Sequence, residues 1–364
     1  MAQAIALVGR LAWRGAGSVL ELFWLVRTFF DIFPVEVALT LGVIFFGLTW
    51  IRPRPIVALP VSGRRAPVLF WSGVVGSLAI LAAATWTSWL ATRNPLEGTG
   101  GWWQRPAPLL FAAAVVLTTT YALRREPLPA PGERAISPRR SWWEFTPRAL
   151  LWVTVLTAAV LFVTSMWQTL IGVALPDGAN RYGIGPEDSG LPEFMTMQGG
   201  MGYVWGAGWP NHLATLAALA IAVAALALSL HRDANRPLFA RSSASQVREE
   251  RVATARLLLL LTLGGVLLTL GAVWAHTGFI GTISVSVFED TGGQRLPDRF
   301  NVGTGYGEFA DFMHLGGYVV QGIGAALLLR LAVDLLRAHR ILNLHRRADL
   351  PSPASALAGV EASR

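Results

Sequence analysis

Histidines at the ends of apolar segments are the residues of this sequence best suited to chemistry. His212 and His314 each follow a Gly-Tyr pair, Gly202-Tyr203 and Gly305-Tyr306 respectively, and each precedes a leucine and a long apolar run. His276 ends the apolar segment that lies between them. Neutral imidazole binds copper, zinc and haem iron. The pattern therefore makes His212, His276 and His314 candidate metal ligands, or candidate axial ligands of a b-type haem.

A purely structural role is the alternative for the same histidines. Each of them falls where an apolar segment meets a polar loop, so each could donate a hydrogen bond to a loop carbonyl at a wet boundary. Their separation along the chain also lacks the fixed spacing of a ligand motif. Both interpretations remain open at the level of the sequence.

The segment after His314 carries polar residues at helical spacing. Tyr318 and Gln321 follow His314 by four and seven positions, which places all three on one helix face. The same segment is rich in glycine, which would allow a flat haem or quinone ring to approach the backbone, or alternatively would allow close packing of another helix. These glycines are Gly316, Gly317, Gly322 and Gly324.

Aromatic residues and methionines precede His212. Trp209, with Trp205 and Tyr203, could line the edge of a haem or a quinone, although tryptophan is also typical of the belt at a membrane boundary. Thioether sulfur is a ligand for Cu(I), so the nearby methionines make copper a further candidate cofactor, less favoured than haem or quinone. The alternative is that these methionines pack the loop on itself. The methionines are Met195, Met197 and Met201.

The composition indicates an integral membrane protein. Hydrophobic residues make up 53% of the 364 positions and charged residues only 14%, well below the roughly 25% charged residues of soluble domains. The chain has no cysteine, which excludes disulfides and thiolate ligands. The net charge of +8 comes from arginines clustered between apolar segments, so it reflects membrane topology and predicts no nucleic-acid partner.

Hydropathy predicts a polytopic helical bundle of about seven spans within residues 34–347. For residues 1–33 we predict an amphipathic helix in the membrane interface, with an eighth span as the alternative. For residues 348–364 we predict a disordered cytoplasmic tail. The seven predicted spans are 35–51, 68–92, 108–123, 149–175, 211–230, 257–280 and 315–336.

The connections between these spans alternate in charge. Arginines concentrate in every second connection and after the last span, whereas 93–107, 176–210 and 281–314 carry few arginines and many acids. The positive-inside rule makes the arginine-rich side cytoplasmic and the C-terminus cytoplasmic. Because every basic residue is arginine and Ala, Gly and Pro are abundant, we expect a GC-rich bacterial gene and the bacterial inner membrane. Tryptophans near the ends of spans two, four and six suggest repeated two-helix hairpins.

These features favour a membrane subunit of a bacterial electron-transfer complex. It would bind haem or quinone near its extracytoplasmic face and dock another membrane or extracytoplasmic subunit through its long outer loops. A cofactor-free scaffold or assembly subunit is the alternative. A solute or lipid transporter ranks third, because the spans lack ionisable residues near the middle of the bilayer. No catalytic motif decides whether the protein is an enzyme.

Overall fold

The computed structural model describes most of the chain between residues 34 and 348. The described ranges are 34–51, 54–60, 65–93, 103–125, 127–134, 141–182, 190–241, 243–287, 290–291, 294–295 and 300–348. The predicted N-terminal amphipathic helix lies outside these ranges. The predicted C-terminal tail also lies outside them, except for Ala348, which is the last residue of a helix.

The described residues form an all-α bundle of multi-pass membrane character, as the sequence predicts. Its helices are α1 (Pro34–Leu48), α2 (Arg65–Arg93), α3 (Ala107–Arg124), α4 (Arg148–Leu170), α5 (Asn211–Ala234), α6 (Ala244–Gly281) and α7 (Gly307–Ala348). Six of these, α2 to α7, are long and apolar enough to cross a membrane. The 15 residues of α1 span about 22 Å, which is less than a hydrocarbon core.

Each predicted span coincides with a helix, but α6 and α7 extend well beyond their apolar segments. Helix α6 has 38 residues and is therefore about 57 Å long, nearly twice the thickness of a hydrocarbon core. Its first residues are polar, and the Ser243 hydroxyl caps them by accepting a hydrogen bond from the backbone N–H of Gln246 at 3.3 Å. Hydropathy measures transfer into lipid, so it cannot detect helix that continues into water.

Helix α6 is the central helix of the bundle. In its most apolar window, 83% of the residues are buried, against 22% for α4. Helix α6 packs against α2, α3, α4, α5 and α7, while α1 packs chiefly on α7. The two helices of each consecutive pair, α2 with α3, α4 with α5 and α6 with α7, also contact one another. Most of the surface of α4 is therefore left to lipid or to a partner.

Glycines bring α6 and α7 into backbone contact. A Cβ on Gly278 would lie 2.5 Å from the Cα of His314 and 2.6 Å from the carbonyl oxygen of Ala310. A Cβ on Gly317 would lie 2.7 Å from the Cα of Ala275. Gly322 faces α1, where a Cβ would lie 2.8 Å from that of Leu41. Neighbouring helices thus occupy the space beside these glycines, as the helix-packing interpretation requires.

The two long connections pack together over one end of the bundle, where α4 and α6 end and α5 and α7 begin. We call this the loop-rich end, and we call residues 171–182, 190–210, 282–287 and 300–306 the loop cap. The strands of this region are β1 (Arg181–Tyr182), β2 (Phe194–Thr196), β3 (Tyr203–Trp205), β4 (Val285–Val287), β5 (Asp290–Thr291), β6 (Gln294–Arg295) and β7 (Phe300–Val302). They form a sheet of order β1–β3–β2 and two pairs, β4 with β7 and β5 with β6.

The loop cap has a small apolar core of its own. An antiparallel bridge joins Met197 to Thr304 and ties the two connections together. Met195 and Met197 are buried with Val204 and Ile280, whereas Met201 is exposed. The first two methionines therefore serve to pack the cap, in line with the alternative to a copper site.

The opposite, arginine-rich end is held by buried ion pairs. Arg330 Nε lies 3.2 Å from Asp334, four residues later on α7. Arg65 at the start of α2 pairs with Asp233 at the end of α5 at 2.9 Å. The Arg65–Asp233 pair joins α2 to α5, whereas the Arg330–Asp334 pair lies within α7 and reaches another segment through the backbone N–H of Ile56, which donates to Asp334 at 2.9 Å.

Candidate functional site

His212 is fully buried at the start of α5. Its Nε2–H donates a hydrogen bond to the carbonyl oxygen of Gly206 in the loop cap, at 3.2 Å. Since a carbonyl can only accept, this contact leaves Nδ1 as the lone-pair nitrogen of the neutral imidazole. Nδ1 is buried and has no partner among the described residues. His212 thus makes the loop-carbonyl contact expected of a structural histidine, yet it also offers a free acceptor.

His276, near the end of α6, faces the same cap residue. A Cβ on Gly206 would lie 2.8 Å from the Nε2 of His276, and Gly206 adopts φ +124°, which favours glycine. The backbone at this position therefore lies directly against the imidazole. The Trp205 ring lies across that imidazole, with centroids 6.0 Å apart in an edge-to-face arrangement. Gly206 thus separates the two imidazoles of His212 and His276.

His314 is buried on α7 and points to α6. Its Nδ1–H donates to the carbonyl oxygen of Ala275 at 2.9 Å. The ring of Tyr318 lies 5.2 Å from that of His314 between centroids, so these two predicted site residues do meet. His314 is within electrostatic range of His276. The structure thus gathers all three predicted histidines at the loop-rich end.

Two other predicted site residues lie elsewhere. Gln321 lines a crevice between α1, α2, α6 and α7, with Leu39 and Ser88 among the other lining residues. Trp209 has 38% of its surface exposed, and the tryptophan beside the histidines is Trp205. The functional interpretation of Gln321 and Trp209 stays a prediction, but neither is placed with His212 and His276.

Arg105, which the sequence analysis did not select, completes the site. It lies just before α3 and is within electrostatic range of both His212 and His276. Its Nη1 is buried without a hydrogen-bond partner among the described residues. Burial lowers the pKa of Arg105 to about 10, so the guanidinium keeps its charge at neutral pH.

Gln168 and Tyr306 form the adjoining wall. Gln168 is 1% exposed near the end of α4, and its backbone carbonyl accepts from the N–H of Gly208 at 2.7 Å. The hydroxyl of Tyr306 lies beside the Gln168 side chain and donates to the carbonyl oxygen of Thr277 at 3.1 Å. Burial raises the pKa of the Tyr306 phenol. Tyr306 therefore remains a hydrogen-bond donor at neutral pH.

A buried carboxyl group supports the tryptophan from the cap side. Glu193 has no exposed surface, and its Oε2 accepts from the indole N–H of Trp205 at 3.2 Å. Its backbone carbonyl accepts from the N–H groups of Gly206 and Ala207 at 2.9 and 3.2 Å. Glu193 thus holds in place the strand end that lies between the two imidazoles.

We call Arg105, Gln168, Asn211, His212, His276 and Tyr306 the polar cluster. Each member except Tyr306, which lies beside the Gln168 side chain, has a buried side-chain nitrogen that lacks a hydrogen-bond partner within the described part of the chain. These atoms are Arg105 Nη1, Gln168 Nε2, Asn211 Nδ2, His212 Nδ1 and His276 Nε2. Buried polar groups in proteins are nearly always bonded to protein, water or a ligand, so their concentration here indicates a site for solvent or a small molecule.

The chemistry of the polar cluster is that of hydrogen bonding. Arg105, Gln168 and Asn211 present N–H donors, and His212 Nδ1 presents an acceptor. Among the residues that the structure describes, no three His, Asp or Glu side chains are grouped to hold a metal ion. The predicted copper or zinc site at His212, His276 and His314 therefore stays a prediction.

Two residues of the polar cluster, Arg105 and Gln168, also stand out in the sequence. Arg105 is one of the few arginines in the arginine-poor connections, so it departs from the charge pattern that places those connections outside. Gln168 is an amide within an otherwise apolar span. The proximity of both to His212 depends on the packing of α3, α4 and α5, which no spacing along the chain reveals.

Comparison of the chain with protein-family models, with curated proteins and with solved structures gave no significant match. The chemistry of the polar cluster is therefore inferred from its own residues.

Proposed function

We propose that this protein is a membrane subunit of a bacterial electron-transfer complex and that it binds a quinone in the polar cluster. The observation that carries the proposal is the set of buried, unpartnered donors beside a buried imidazole acceptor. A quinone has two carbonyl oxygens that accept hydrogen bonds, and a quinol has two hydroxyls that donate them. Arg105, Gln168 and Asn211 match the first form, and His212 Nδ1 matches the second.

The position of the cluster also suits a lipid-soluble ligand. It lies where membrane-spanning helices meet the loop cap, so a ring could enter from the bilayer while its tail stays in lipid. The edge of Trp205 near His276 supplies an aromatic surface of the kind on which planar rings pack. Water is largely excluded, because His212 and Gln168 are almost fully buried, and this strengthens hydrogen bonds to the ligand.

A b-type haem fits the same residues less well. The Nε2 of His212 is directed to the carbonyl of Gly206, and the Nδ1 of His314 to the carbonyl of Ala275. The backbones of α6 and α7 meet at Gly278 and Gly317, which leaves no gap for a porphyrin beside His314. We therefore favour quinone over haem as the redox ligand.

We further propose the bacterial inner membrane as the location, with the arginine-rich end and the C-terminus in the cytoplasm and the loop cap outside. The charge pattern of the connections supports this orientation. In this arrangement the loop cap is the surface available to an extracytoplasmic or membrane partner subunit.

Because the chain has no cysteine, single cysteines can test this orientation. Met201 in the loop cap and Ser245 at the start of α6 are both exposed. We expect a membrane-impermeant maleimide added to intact spheroplasts to label Met201→Cys and to leave Ser245→Cys unlabelled until the membrane is lysed. The reverse pattern would show that the loop cap is cytoplasmic.

Quinone binding can be tested by extracting the detergent-purified protein with solvent and measuring quinone per protein. We expect Gln168→Leu and His212→Leu to retain about ten-fold less quinone each, since a lost hydrogen bond to a buried ligand costs about 1–3 kcal/mol. The matched control is His231→Leu, which alters an exposed histidine at the other end of α5 and should retain quinone fully.

Thermal stability provides a second readout for the same variants. The Gln168 nitrogen lacks a partner at hydrogen-bonding distance, but its side chain also interacts with the Tyr306 hydroxyl. Lost quinone in Gln168→Leu therefore reports on binding only if the ligand-free variant melts near the wild-type temperature. If wild-type protein contains no quinone but shows a reduced haem band that is absent in His212→Leu, the ligand is a haem and not a quinone. Protein with neither, co-purifying with another subunit, would favour the cofactor-free scaffold, and solute uptake by isolated vesicles would favour a transporter.

A further inference from the structure

Arg105 is partly exposed, but its Nη1 is buried without a hydrogen-bond partner, and no ion pair between described residues involves it. The described buried ion pairs involve Arg65 and Arg330, both at the arginine-rich end. Arg105 lies within electrostatic range of the imidazoles of His212 and His276. A buried guanidinium nitrogen without a partner is unfavourable, and the guanidinium cannot relieve this by losing its proton at neutral pH.

The other donors of the polar cluster would also stabilise negative charge. Gln168 and Asn211 are 1% and 2% exposed, and each has a buried side-chain nitrogen without a partner. Asn211 also begins α5, where the helix dipole places partial positive charge and free N–H groups. Arginine pairs with oxyanions more strongly than with neutral acceptors, through two parallel hydrogen bonds.

We infer that the polar cluster binds its ligand as an oxyanion, with Arg105 holding the charged oxygen. The inference rests on the proposed function for the nature of the ring, and it narrows the ligand to an acidic quinone, one that carries an ionised ring hydroxyl. Gln168 and Asn211 donate to the remaining oxygens, and His212 lies beside them as the acceptor. Arg105 is then the residue that decides specificity between charged and neutral quinones.

Two probes of nearly equal shape test this inference on the full-length protein. At neutral pH 2-hydroxy-1,4-naphthoquinone is an anion, whereas 1,4-naphthoquinone is neutral. We expect the wild-type protein, titrated by quenching of its tryptophan fluorescence, to bind the anionic probe at least ten-fold more tightly. Arg105→Gln should abolish the preference, Arg105→Lys should restore part of it, and Arg181→Gln, which removes an exposed arginine of the loop cap, should preserve it.

Each alternative result is decisive. Equal binding of the two probes by wild-type protein would overturn the oxyanion inference and leave the quinone proposal intact, and this comparison needs no variant to fold. Failure of both probes, with benzoate or inorganic phosphate binding in an Arg105-dependent manner, would retain the oxyanion inference and reject the quinone. Failure of all four ligands would reject both.

Discussion

Replacing Gly278 with alanine is expected to separate α6 from α7 and to cause one of the largest losses of stability available from a single methyl group. The added Cβ would lie 2.5 Å from the Cα of His314 and 2.6 Å from the carbonyl oxygen of Ala310. Both neighbours are backbone atoms, so no side chain can rotate away. We expect the free energy of unfolding to fall by about 3 kcal/mol or more, measured as a lower melting temperature in detergent and loss of the monodisperse peak.

Gly316→Ala is the matched control for this substitution. It makes the same change on α7, but its Cβ would meet only the Trp274 ring at 3.8 Å, an ordinary van der Waals distance. Alanine favours helix over glycine by about 1 kcal/mol, so Gly316→Ala should be neutral or stabilising. Equal stability of Gly278→Ala and Gly316→Ala would show that the α6–α7 contact is looser than described.

Removal of one partner of the buried pair Arg330–Asp334 should also be severe. Arg330 bonds to Asp334, to the Thr49 hydroxyl at 3.4 Å and to the backbone carbonyl of Arg54 at 3.2 Å. Asp334 accepts from the N–H of Ile56 at 2.9 Å. Asp334→Leu leaves a buried guanidinium without its counterion, and Arg330→Met leaves a buried carboxylate, so each should cost about 3–5 kcal/mol.

The double variant distinguishes the ion pair from simple packing. The double variant Arg330→Met/Asp334→Leu removes both charges together, so its melting temperature should fall by clearly less than the sum of the single effects.

Arg337→Met is the control. The guanidinium of Arg337, like that of Arg330, lies over the Trp50 ring, at 3.7 Å, but the Arg337 side chain is exposed. We expect it to cost less than about 1 kcal/mol. Strictly additive single effects would contradict a coupled pair.

The bundle could be predicted from the sequence because transfer of a helix into lipid depends on composition over about 20 residues. For that reason the seven predicted spans all coincide with helices, although α1 is shorter than a typical span. The spacing of Arg330 and Asp334 is also that of residues that meet on one helix face. The polar residues that begin α6 and α7 were not predicted to be helical, because hydropathy detects only the part of a helix that lies in lipid.

The candidate site could be predicted only in part. His212, His276 and His314 were identifiable because each stands at the junction of an apolar segment and a loop. Their common location requires the order of helices in the bundle, which composition does not encode. Gly206 lies between two of these histidines, and Arg105 reaches them from another connection. Both positions depend on long-range packing, which local sequence patterns do not reveal.

The bridge between Met197 and Thr304 has a consequence for how the protein is made. The two bridged residues are about a hundred positions apart, and α5 and α6 lie between them, so ribosomal synthesis delivers the first half of the loop cap well before the second. Tyr306, which closes the wall beside Gln168, emerges later than Arg105, Gln168 and His212. A nascent chain that has not yet inserted α6 therefore has its charged guanidinium and unpaired amides without their final neighbours. Packing of the last loop against the first is therefore the step that completes the polar cluster.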